Sequence, residues 1–86
     1  MANLTAAVVR EQGVTFAVAI MQDWVLTNPQ EADRQIPAVA HALGCPLVVL
    51  MGERNGQLRG NRRDVVDFVA SIDPARLPWR EYRLAS

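Results

Sequence analysis

Lysine is absent from this 86-residue chain: all nine basic residues are Arg, and they balance nine Asp and Glu to a net charge of zero. A domain dedicated to nucleic acid usually carries a clearly basic total, so the balance argues against that class. An all-Arg basic set is also what codon bias in a GC-rich bacterial genome produces. Cysteine occurs once, at Cys45, which excludes an intrachain disulfide framework and a Cys-x-x-Cys redox pair. Histidine also occurs once, at His41, so no local set of about three protein ligands exists for zinc, and no metal or cofactor is expected. Ser appears only at positions 71 and 86, outside any Gly-x-Ser-x-Gly elbow, which excludes that route to serine hydrolysis. The Walker A and Gly-x-Gly-x-x-Gly patterns are missing too. The longest early apolar run, Phe16–Met21, is far short of a membrane span. Met1–Val9 holds no basic residue, so no signal peptide and no membrane partner are expected, and a cytoplasmic location is.

What is present is apolar bulk. Half the residues are hydrophobic, which argues against disorder, and the length argues for one domain over residues 1–86. A folded chain of 9.5 kDa should expose roughly 5,000 Å² and bury about 63% of its unfolded surface. Apolar burial of that extent contributes on the order of 125 kcal/mol, and ordering the residues at about 1.5 kcal/mol each costs nearly the same. So narrow a margin means every apolar face needs a cover.

The pattern along the chain gives an α+β fold. Leu4–Arg10 reads as a strand, Glu11-Gln12-Gly13 as a turn, and Val14–Met21 as a second strand. That second strand is apolar on both faces, large at Val14, Phe16, Val18 and Ile20, mostly small at Thr15, Ala17, Ala19 and Met21. Such a strand is central or covered on both sides. The large face should meet helices, and the small face a partner subunit or Trp24.

Asn28-Pro29-Gln30-Glu31 is the strongest local signal: an N-cap, a Pro at the first helical position and a Glu at the third. Ala32, Ile36, Val39, Ala40 and Leu43 then share a helical face, and Gly44 and Pro46 stop it. Pro37 sits inside this 29–43 helix and predicts a kink or break near Gln35–Pro37. Pro46–Met51 reads as a buried strand, Asn55-Gly56 as a hairpin turn, and Gln57–Arg59 as a short return strand. Asn61 should cap a second helix with Val65, Phe68, Val69 and Ile72 on its apolar face, ended by Asp73-Pro74. Pro74–Leu77 looks like a single turn. Trp79–Leu84 alternates apolar and charged residues as an edge strand does.

The order β-β-α-β-β-α-β predicts a two-layer sandwich: a mixed sheet of four to five strands with two helices on one face.

Three groups of residues are candidates for function. The first is a contact surface for a second copy, or for another protein, at Ala17, Ala19 and Trp24. The favoured reading of the chain is therefore a protein-interaction module without catalytic activity that self-associates as a homodimer. The second group is Arg54, Arg59, Arg62 and Arg63. Residues 1–53 carry a net −3 and residues 54–86 a net +3, and these four Arg crowd into residues 52–63 with three Gly at a helix start. Guanidinium groups pair well with phosphate, so the alternative function is binding of a phosphate-bearing ligand or nucleic acid. The third is Asp23, which no cap or turn explains, with His41 as its acid–base partner in a small enzyme. Cys45, between Gly44 and Pro46, reads as a small buried hydrophobe.

Overall fold

The computed structural model describes residues 2–11 and 13–84. Strands β1 (Ala2–Glu11) and β2 (Val14–Met21) form an antiparallel hairpin with Glu11 opposite Val14. Glu11 therefore belongs to the strand. The tight turn uses Gly13 at φ 78°, while Gln12, also expected there, lies outside the described residues. A five-residue helix α1 (Asp23–Thr27) follows, which periodicity did not reveal, and then α2 (Pro29–Leu43). β3 (Val48–Gly52), β4 (Leu58–Gly60), α3 (Arg63–Ala70), one turn of 3-10 helix at Pro74–Arg76, and β5 (Trp79–Leu84) complete the order. The sheet runs β4-β3-β2-β1-β5, with only β2 and β3 parallel.

The ends of α2 are where local chemistry puts them. The Asn28 side chain accepts the backbone N–H of Glu31 at 3.3 Å, and Gly44 takes the left-handed conformation (φ 63°) that ends the helix. Pro37 leaves the helix unbroken: it is exposed, so its ring faces water and the core stripe of Ala32, Ile36 and Val39 is undisturbed. The start of α3 differs from expectation. Arg62, not Asn61, is its N-cap, and no side chain caps it. Asn61 is spent on β3 instead, accepting Val48 N–H at 3.1 Å and donating to Pro46 O at 2.7 Å.

The mixed five-stranded sheet and its α+β order stand as expected, but the two main helices do not share a face. One core joins Ala17, Ala19, Val48 and Leu50 to Val25 and Leu26 of α1 and Ala32, Ile36 and Val39 of α2. The other joins Phe16, Val18, Val49 and Met51 to Val65 and Val69 of α3 and to Leu77. The reason lies in β2 and β3. Both are apolar on both sides, so helices on one side would leave a whole face in water. α2 makes the β2-to-β3 crossover on one side. α3 leaves the β4 edge and crosses the other side toward β5.

Candidate functional site

At the end where β2 and β3 both finish, Asp23 begins α1 and faces the β3–β4 loop. Its Oδ1 accepts the backbone N–H of Arg54 at 3.0 Å and of Asn55 at 3.2 Å. Asn55 Oδ1 in turn accepts Gln57 N–H at 2.9 Å. Gly52 lets these oxygens close in, since a Cβ there would overlap the Asn55 amide and stand 3.0 Å from Asp23 Oδ1. Asp23 is thus a brace for the loop. His41 lies in the last turn of α2, exposed, while Asp23 lies in α1, ahead of the start of α2. A 15-residue helix is about 22 Å long, so the two are not brought together as an acid–base pair.

The four Arg are dispersed as well. Arg59 pairs with Leu50 in register, which turns its side chain to the α2 face, and its Nε and Nη2 bind Asp33 Oδ1 at 3.0 and 2.9 Å. Arg62 Nε binds Asp64 at 2.8 Å, and Arg63 stands 4.0 Å from Asp67 one turn along α3. The Arg62 hydrogen bond, helped by its charge and by the Val65 N–H, holds the Asp64 carboxyl below the usual carboxylate range. Arg54 sits at the far end of the β3–β4 hairpin from Arg62 and Arg63. Among the described residues it has no carboxylate within 4.0 Å. Three of the four therefore have a carboxylate within 4.0 Å, and the four do not ring the start of α3.

Ala17 and Ala19 have no exposed surface: α1 and α2 of the same chain cover them. The small-residue face accommodates a helix, and a partner cannot reach it. Trp24 does reach solvent, 53% exposed on α1, with its Nε1 donating to Gln22 Oε1 at 2.6 Å.

The opposite flank, which the sequence pattern marks as an edge strand, is built differently. α2 packs over β3 and β2; on the β1–β5 flank of that face Leu4 and Ala6 are buried, Tyr82 lies half-buried against Leu4 across the strand pair, and Val8 is 37% exposed. On the α3 face, a shallow groove of about 400 Å³ lies over Thr5, Ile20 and Met51, walled by Trp79 and Pro74 with Arg54 on its rim. Trp79 is fixed there by its Nε1 bond to Pro74 O at 2.7 Å. The alternation of charge and apolar residues in Trp79–Leu84 was the signal for this flank.

No family model, no curated protein and no solved structure matches this chain. Among the described residues, no helix is long and apolar enough to cross a membrane.

Proposed function

We propose that the chain is a cytoplasmic protein-interaction module without catalytic activity that associates with a second copy of itself. The observation that carries this reading is the outer edge of β5, which ends the strand order, with the half-buried Tyr82 on it. The Arg-rich segment is the less favoured site, because its four Arg are dispersed and Asp33, Asp64 and Asp67 stand beside three of them.

Sedimentation equilibrium over a hundredfold range of concentration is the test. The expected mass rises from that of one chain toward that of two, and the apparent Tm rises with it. A chain that remains monomeric at the highest concentration overturns the reading.

A further inference from the structure

One hydrogen bond fixes which residues of β5 turn outward. Ala17 N–H donates to Leu47 O at 2.8 Å, so Ala17 directs its peptide groups toward β3. Direction alternates along a strand, so Phe16 and Val18 direct theirs toward β1, where Val9 and Ala7 answer them. Leu4 and Ala6 then direct theirs toward β5, to Tyr82 and Arg80. Glu81 and Arg83 are left with N–H and C=O pointing away from the sheet. β5 ends the strand order, so among the described residues these groups face no other strand. Trp79, which shares their direction, has its N–H bonded to Leu77 O at 2.9 Å. An edge with free peptide groups is a template for another strand.

We propose that the strand it takes is β5 of a second copy, antiparallel, with Tyr82 on the two-fold axis and Glu81 opposite the second copy's Arg83. This rests on the self-association proposed above and adds its place and register. Charge selects the register. Outward residues must meet outward residues, so the axis falls on a residue and never between two. An axis at Arg80 or Arg83 sets two guanidinium groups directly opposite, and an axis at Glu81 sets two carboxylates opposite. Like charges so placed repel. The axis at Tyr82 gives two Glu81–Arg83 pairs, four backbone hydrogen bonds and no like-charge pair. The pairs stand on the α3 face, beside Thr5 and Asn3, and the two Tyr82 meet on the α2 face. Three charges on an edge resist indiscriminate pairing; here they also admit one specific partner. A single strand pair is a small interface, of the transient class.

The test is a charge exchange read by sedimentation. Glu81→Arg and Arg83→Glu should each weaken self-association about tenfold or more, with unchanged far-ultraviolet circular dichroism, because both side chains are exposed. Mixing the two variants should restore a one-to-one dimer, since every Arg then faces a Glu. Tyr82→Cys should oxidise to a disulfide-linked dimer, because opposed residues of a non-hydrogen-bonded pair lie within disulfide reach, whereas Arg80→Cys should not. Single variants that still dimerise, or a mixture that stays monomeric, overturn this register while self-association stands. A monomeric wild type overturns both.

Discussion

On one face of the sheet β2 presents Ala17 and Ala19 to a 15-residue helix; on the other it presents Phe16 and Val18 to an eight-residue one. Small side chains let the long helix α2 lie close over β2 and β3, and α1 extends the cover. Large side chains fill the space under α3 themselves, and Phe68 meets Phe16 edge to face at 5.9 Å and 85°. The shorter cover leaves gaps. A groove of about 230 Å³ opens between Val14, Phe16 and Phe68, and the larger one lies beyond Trp79. Both faces are apolar, but one excludes water with helix length and the other with side-chain volume.

The largest break in this comparison comes from adding charge where there is no room. Ala17→Arg should leave the chain unfolded at room temperature by circular dichroism, because the site is fully buried and offers no partner for the charge. Removing volume from the other face should be less severe. Phe16→Ala should cost about 3–5 kcal/mol in urea unfolding, and Phe68→Ala, at a site 38% exposed, clearly less. Equal losses would mean that α3 roofs its face as fully as α2 does.

The two helix starts sharpen the contrast further. Asn28→Ala should cost about 1 kcal/mol through the lost cap. Arg62→Ala should change stability by under about 0.5 kcal/mol, because that helix has no side-chain cap to lose and the pair with Asp64 is exposed. The smallest effect is electrostatic. The Asp64 carboxyl titrates below its unfolded value, so its contribution is whole above that value and is lost as pH falls through the folded one. Arg62→Gln should move the Asp64 titration upward, as read by carbon NMR.

The elements most legible in the sequence were those with local chemistry at their ends. Asn28, Pro29 and Gly44 bounded α2 to the residue, and both Val14–Met21 and Trp79–Leu84 emerged with their full spans. α1 was not legible because five residues are too few to display a period. The position of α3 was in part legible: the two apolar faces of β2 already required two covers. The four Arg are scattered because nearness along the chain is not nearness in space. The β3–β4 hairpin carries Arg54 to one end of the sheet and Arg62 and Arg63 to the other, and strand alternation sends Arg59 to Asp33. Ala17 and Ala19 looked like an uncovered face because a run of small residues has the same pattern under a partner's helix as under its own.

The pairing of β1 with β5 has a consequence for the chain as it is made. β1 is synthesised before β5, and from Ala2 to Val9 it carries no charge. Its β5 side stays open until β5 has emerged, so until then a neutral, alanine- and valine-rich strand offers free peptide groups to any neighbour. β5 ends that hazard by replacing a neutral edge with one bearing Arg80, Glu81 and Arg83. β5 is therefore a gatekeeper as well as a structural element, exchanging an edge that would accept almost any strand for one that discriminates.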